Sequence, residues 1–177
     1  MRAVILVALL AVGVLLAGVA VFLVLRDVGG DDDRGGGPVD LREPMTLQLV
    51  QKASPPPCAS GALPDENGSS CLTLAPERMI VERVEYIEVK PPSPRTGTGW
   101  TVRMRLTPSD GEDFGRLTGR AAERPGTSDA RRIAMIVGGA VVSAPTVSEP
   151  VTGGEVMIHG SFSRPEAENL VRRMTGR

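Results

Sequence analysis

The sequence predicts an α+β fold: a small antiparallel sheet with two helices packed on one face, preceded by one transmembrane helix. Three observations carry this prediction. Residues Ala3–Leu25 are all apolar or glycine, several segments between Leu41 and Phe162 alternate apolar and polar residues, and two later segments repeat apolar residues at helical spacing. The later segments run strand, helix, hairpin, strand, helix, an order that an antiparallel sheet accommodates with fewer crossovers than a parallel one.

The amino-terminal apolar segment predicts a membrane anchor. Ala3–Leu25 supplies about the 20 residues that a helix needs to cross a bilayer. A cleaved signal peptide is the alternative, but its apolar region is normally about 7–15 residues long, and here the apolar run continues past the weak cleavage candidate at Ala20. We therefore expect an uncleaved anchor in residues 1–26 and a flexible Gly- and Asp-rich tether in residues 27–40.

The two cysteines predict the compartment. Cys58 and Cys71 bracket a segment that is rich in turn-forming residues. Two such cysteines beyond a membrane segment predict a disulfide bond in an oxidising space, which makes this a single-pass cell-membrane protein whose carboxyl-terminal part lies outside the cytoplasm. Free thiols in a cytoplasmic domain are the alternative. With one distant histidine, His159, the pair does not supply the four ligands of a zinc site, and we predict no metal.

Residues 41–99 predict a strand-rich extension that carries the disulfide loop. Met45–Val50 and Val84–Val89 have the apolar and polar alternation of strands, and Leu72–Leu74 suits a short strand. Ala75–Val81 fits no single pattern. We therefore expect short, separated strands in this part of the chain.

Residues 100–177 predict a separate α+β domain. Two capping boxes, Ser109 with Glu112 and Ser163 with Glu166, predict the starts of two helices. Gly138-Gly139 predicts a tight hairpin turn, because such turns need residues with positive φ. The predicted strands are Trp100–Leu106, Ile133–Val137, Ala140–Ala144 and Val156–His159.

The composition offers little for catalysis or for nucleic-acid binding. A net charge of −1 and a pI of about 5.9 give no reason to expect a nucleic-acid partner. The chain has no Gly-x-Ser-x-Gly motif, no dinucleotide-binding glycine pattern and no P-loop. We expect no catalytic residue, no cofactor, no small-molecule substrate and no enzymatic activity. Arg103 and Arg105 favour a solvated sheet face, with a groove for acidic peptides or lipid headgroups as the alternative.

A series of short motifs in residues 100–177 resembles a known family. The motifs are Trp100, Asp110-Gly111, Phe114 with Leu117-Thr118, Val141–Pro145, Gly153-Gly154 and Gly160–Phe162. In order and spacing they resemble the head of the first extracytoplasmic domain of SecD, the auxiliary subunit of the Sec protein-export machinery. The resemblance is weaker over residues 41–90. The chain departs from the family in having one apolar segment with no charge inside it, and in having Gly138-Gly139 where the family usually has an acidic residue before glycine.

The resemblance implies a membrane-anchored extracytoplasmic module of the bacterial envelope that binds a protein or an extended polypeptide. Exported chains or Sec components are the expected partners, and the candidate binding residues are Ser143, Ala144, Pro145, Gly153 and Gly154. An envelope interaction or structural protein that reuses the fold for another protein partner is the alternative. These residues also have a purely structural interpretation, since proline bounds loops and glycine permits tight turns.

Overall fold

A computed structural model describes residues 38–94, 97–125 and 128–177 of the 177-residue chain. In these residues the elements follow one another as β1 (Val39–Ser54), β2 (Leu63–Pro64), β3 (Cys71–Lys90), β4 (Trp100–Leu106), α1 (Pro108–Ala122), a 3₁₀ helix (Ser128–Arg131), β5 (Ile133–Val137), β6 (Ala140–Ser143), β7 (Glu155–Phe162) and α2 (Arg164–Thr175).

The seven strands form one curled antiparallel sheet. Its order is β6-β5-β1-β3-β4-β7, with β2 paired to β3 outside this path. The sheet is built around β1 and β3, which span 16 and 20 residues. Their pairing is interrupted by three register shifts, between Asp40 and Met45, between Gln48 and Val50, and between Val50 and Lys52. Because such irregularities bend a strand and increase its twist, they allow the long strands to curl.

Both faces of the sheet are covered near β5. In this strand Ile133, Met135 and Val137 belong to the main core, and Ala134 and Ile136 belong to a second apolar cluster. Successive side chains of a strand point to opposite faces, so the two clusters lie on opposite sides of the sheet. The helices pack into the main core through their apolar stripes: Phe114, Leu117 and Ala121 from α1, and Ala167, Leu170 and Met174 from α2.

The predicted fold class is wrong. It specified a small sheet, whereas the structure is mostly a half-barrel, with 49% strand and two α-helices. The error has a physical cause in β3, whose burial does not simply alternate. Cys71 and Leu72 are both fully buried, because both faces of the sheet are covered at this end of β3. Ala75–Val81, whose sequence matches neither a helical nor a strand pattern, continues the strand to Val84 and beyond.

The predicted membrane anchor and most of the predicted tether lie outside the described residues. Across positions 38–94, 97–125 and 128–177, neither helix combines the length and the apolar character that a membrane crossing requires.

One of the two predicted helix starts is confirmed. At α2, the carboxylate of Glu166 accepts a hydrogen bond of 2.7 Å from the main-chain N–H of Ser163, which completes the predicted capping box. The Ser163 hydroxyl also donates to this carboxylate at 2.7 Å, and its hydrogen bond, followed by that of the main-chain N–H, lowers the pKa of Glu166. At α1 the prediction is wrong, because the cap is Thr107 rather than Ser109. The Thr107 hydroxyl accepts from the Asp110 N–H at 3.2 Å, and Pro108 takes the first helical position, where its missing N–H costs nothing.

The disulfide loop is closed by the Cys58–Cys71 bond. Inside it, Leu63 and Pro64 of β2 pair with Leu72 and Cys71, and Leu63 packs against the second apolar cluster. Asp65 organises the rest of the loop. Its carboxylate accepts hydrogen bonds from the Ser69 N–H at 2.8 Å, the Ser69 hydroxyl at 2.9 Å and the Ser70 hydroxyl at 2.7 Å.

These bonds predict a loss of stability in acid. Burial raises the pKa of Asp65, but the hydrogen bonds from Ser70 and Ser69 outweigh it and lower the pKa from 3.8 to about 2. A carboxyl whose pKa is depressed in the folded state stabilises the fold above its unfolded pKa, and this contribution disappears as the pH falls from about 4 to 2. We expect Asp65→Asn to lower the free energy of unfolding at pH 7 by about 1–2 kcal/mol.

Urea unfolding at pH 7, 4 and 2 measures this effect. The difference between wild type and Asp65→Asn should shrink over the acidic interval, because the wild-type carboxylate is increasingly protonated there. Glu66→Gln, at an exposed position next in sequence, is the control and should follow the wild type. A difference that stays constant from pH 7 to pH 2 would contradict the assignment.

Candidate functional site

The predicted binding residues lie in two groups near β7, one at the end of β6 and one just before β7 begins. At the first, Ser143 and Ala144 are buried, each 5% exposed, and Pro145 is exposed beside them. The Ser143 hydroxyl donates to the carbonyl oxygen of His159 at 3.1 Å, so the end of β6 reaches β7 across the opening of the half-barrel. At the second, Gly153 and Gly154 immediately precede β7, and both have positive φ, +92° and +68°.

One edge of β7 has no strand partner among residues 38–94, 97–125 and 128–177. The N–H of Leu106 in β4 donates to the carbonyl of Gly154 at 2.8 Å. Because the main-chain groups of a strand alternate between its two sides, Val156 and Ile158 also point to β4, whereas Glu155, Met157 and His159 point away from it. In the described part of the chain, β4 is the only strand that pairs with β7.

The outward edge is partly occupied near its carboxyl end. There the His159 carbonyl accepts from Ser143. Nearer the start of β7, the main-chain groups of Glu155 and Met157 have no strand partner among the described residues, and the Met157 side chain is 38% exposed. The edge around Met157 therefore combines main-chain groups that lack a strand partner in the described part of the chain with an exposed apolar side chain.

A charged network fixes the sheet face beside this edge. Arg103 donates to both carboxylate oxygens of Glu155, at 2.9 and 2.8 Å, and Arg105 lies 3.4 Å from the same carboxylate. The hydrogen bond from Arg103 lowers the pKa of Glu155, and the same bond raises the pKa of Arg103. Both guanidinium groups also lie over the ring of Tyr86, at 5.6 and 5.9 Å from its centre. These two arginines are therefore engaged within the sheet.

A groove of about 600 Å³ opens at the amino-terminal end of β7. Its floor includes Leu106, Pro108, Gly111 and Gly115, and the turn Thr152–Gly154 forms one wall. Four side chains with charge line it: Glu85, Arg105, Glu112 and Arg116. The volume lies in the range of protein sites that enclose a ligand or a few side chains.

Three glycines on α1 position the wall of the groove. Gly111, Gly115 and Gly119 are four residues apart and share one helix face. A Cβ atom at Gly111 would lie 3.2 Å from the Cα of Gly154, so the absence of a side chain lets the turn pack directly on the helix. The Val151 N–H donates to the Thr118 hydroxyl at 2.9 Å and holds the preceding loop in place.

The carboxylates of the groove were not identified as site residues from the sequence, where they resembled solvated surface positions. Glu85 lies at a register shift between Val84 and Tyr86 in the pairing of β3 with β4. Such a bulge re-aims a side chain locally, and a single sequence carries no clear signal for it. Glu112, predicted to cap α1, lies just beyond the first turn of the helix at an exposed position.

Comparisons with known proteins agree with this architecture. The chain is 36% identical over 81 residues to the protein translocase subunit SecD of Streptomyces coelicolor, and 38% identical over 69 residues to that of Acidaminococcus fermentans. These alignments cover 46% and 39% of the chain but only 14% and 15% of the relatives, so the chain corresponds to a small part of each.

Solved structures share the fold. A SecDF chain, described as a membrane component that enhances protein export, superposes with a TM-score of 0.50 at 17% identity, covering 76% of this chain and 63% of that one. A crystal structure of SecDF in a super-membrane-facing form also gives a TM-score of 0.50, at 13% identity, over 78% of this chain and 23% of that one.

The resemblance noted in residues 100–177 is confirmed, and the match extends towards the amino terminus to include the second half of the disulfide loop and β3. The model of the SecDF P1 head subdomain matches residues 63–176, more than half of the chain, and the chain therefore belongs to this family.

Proposed function

We propose that this protein is a non-catalytic, membrane-anchored module outside the cytoplasm that contacts exported polypeptides or components of the Sec machinery. The observation that carries the proposal is the edge of β7 around Met157, where main-chain groups and an apolar side chain face outward without a strand partner among the described residues. Family membership supports the link to protein export, since the curated relatives are translocase subunits.

An edge strand recognises an extended chain without reading its sequence. An added strand forms main-chain hydrogen bonds along the edge, and side-chain contacts are then made only at alternate positions. This mode suits a partner that presents many different sequences in an unfolded state. Glu155 and Met157 would provide the free N–H and carbonyl groups, and Met157 would provide an adaptable apolar contact.

The proposal retains the domain layout expected from the sequence. Residues 1–26 would anchor the chain in the membrane, residues 27–40 would act as the tether, residues 41–99 would carry the disulfide loop and residues 100–177 would form the head. Ser143, Ala144 and Pro145 would flank the binding edge, and Gly153 with Gly154 would shape its amino-terminal end. In this layout the buried Ser143 and Ala144 act by supporting the edge rather than by touching the partner.

Site-specific photocrosslinking in cells tests the proposal. A photoreactive amino acid at position 157 of the full chain should capture exported polypeptides or Sec subunits, and the yield should rise when secretion is increased. The same residue at position 120, exposed on α1, is the control and should capture far less. Equal capture at both positions would contradict the proposal. Capture of one partner that is indifferent to secretion load would contradict it in favour of an envelope interaction protein.

A further inference from the structure

We infer that the groove beside β7 selects extended polypeptide segments in which lysine or arginine adjoins apolar residues. The inference rests on the proposed function and adds to it the chemistry of the preferred segment. It follows from two properties of the groove: an apolar floor and an uncompensated negative charge on its walls.

The floor of the groove has little to offer a polar ligand. Leu106, Pro108, Gly111 and Gly115 line it, and the two glycines leave the helix surface flat. Apolar surface of this kind gains free energy by removing an apolar partner side chain from water. The groove also lies directly beside Gly153 and Gly154, at the start of β7.

On the walls of the groove, the positively charged side chains form ion pairs within the described part of the protein, whereas the negatively charged ones do not. Arg105 shares the Glu155 carboxylate with Arg103, at 3.4 Å, and donates to the Gly153 carbonyl at 3.2 Å. Arg116 forms an ion pair with Asp113. Glu85 and Glu112 form no ion pair and no side-chain hydrogen bond with any residue in 38–94, 97–125 or 128–177. Within the part of the chain that the structure describes, the walls therefore present two carboxylates without a partner.

Charge complementarity then defines the occupant. A lysine or arginine would interact favourably with the two carboxylates, whereas an aspartate or glutamate would be repelled by them. The neighbouring apolar side chains of the same segment would cover the floor. A wholly apolar segment would lack the attraction to the two carboxylates, and a wholly polar segment would bury no apolar side chain on the floor.

Binding of three labelled twelve-residue peptides to the purified full chain in detergent tests the inference. The first peptide combines lysines with leucines, the second replaces the lysines by glutamates, and the third replaces the leucines by serines. Fluorescence anisotropy at low salt measures each affinity. We expect the first peptide to bind about fivefold more tightly than the second, as two partly exposed charge pairs would provide, and the difference to shrink as salt is added.

Matched variants locate the effect. Glu85→Gln combined with Glu112→Gln should bring the affinities of the first two peptides close together. Glu82→Gln, an exposed carboxylate on the same strand as Glu85 but outside the groove, is the control and should preserve the preference. Thr152→Trp, which fills the groove from its exposed wall, should weaken binding of the first peptide.

The possible results distinguish a failure of the lysine preference from a failure of the proposed function. If peptides bind and the Glu85/Glu112 variant keeps the full lysine preference, the inference is overturned while the proposed function stands. The inference also fails if the third peptide binds as tightly as the first, because the apolar floor then contributes nothing. If no peptide binds at any salt concentration, the proposed function fails with it.

Discussion

Reduction of the Cys58–Cys71 bond is expected to lower the free energy of unfolding by about 3 kcal/mol, because the bond limits the conformations of the unfolded chain across a loop of this length. Loss of the bond should also destabilise the folded state. The bond fixes the strand pair of β2 with β3, and Leu63 of this pair covers part of the second apolar cluster. Equilibrium urea unfolding with and without a dithiol reductant measures the change.

The double variant Cys58→Ala with Cys71→Ala separates the bond from other effects of the reductant. It should unfold at about the same urea concentration as the reduced wild type, and adding reductant should not shift it further. Coincident unfolding curves for the oxidised and reduced wild type would contradict the prediction. In cells, a mobility shift under non-reducing conditions that Cys58→Ser abolishes would show that the bond forms there, as the proposed extracytoplasmic location requires.

Replacement of Gly99 by alanine is expected to cost about 2–3 kcal/mol, because it introduces an atom where the residue before β4 approaches the main chain of β7. A Cβ atom at this position would lie 2.3 Å from the carbonyl oxygen of Gly160. That neighbour belongs to the main chain of β7 and has no rotamer by which to move aside. The substitution must therefore separate β4 from β7 where Trp100 pairs with Phe162.

Thermal unfolding of Gly99→Ala and of Gly115→Ala provides the measurement and its control. Gly115 lies inside α1, and its added Cβ would be in ordinary contact, 3.6 Å from the Val151 carbonyl oxygen. Alanine is preferred over glycine within a helix by about 1 kcal/mol, so this control should raise the unfolding temperature. The prediction fails if Gly99→Ala is as stable as the wild type.

The sequence was informative where structure is determined by near neighbours. The Gly138-Gly139 turn has the positive φ angles, +57° and +78°, that its hairpin prediction required. Trp100–Leu106 is a strand with the predicted bounds, and the capping box at Ser163 is present. Each of these features depends on a few consecutive residues. The paired cysteines and the family motifs belong to the same class, since their residues and spacing are visible in the sequence.

Features that depend on distant segments were not predicted. The length of β3 depends on its pairing with β1 and on which of its faces is buried, and this burial changes along the strand. The groove forms where three segments come together: the bulge at Glu85, the glycine-rich face of α1, and the turn Thr152–Gly154. This turn begins more than sixty positions after Glu85 in the chain. The close approach of Gly99, just before β4, to Gly160 in β7 likewise joins two segments that no local pattern connects.

The central position of β1 has a consequence for how the chain matures. β1 is the first strand to be synthesised, and it can pair with β3 soon afterwards, yet its second partner is Ile133–Val137. Until the ribosome has made that segment, one edge of this long strand lacks its partner. Contacts between such remote segments slow folding, so a nascent chain of this protein would itself depend on chaperones that shield exposed strands.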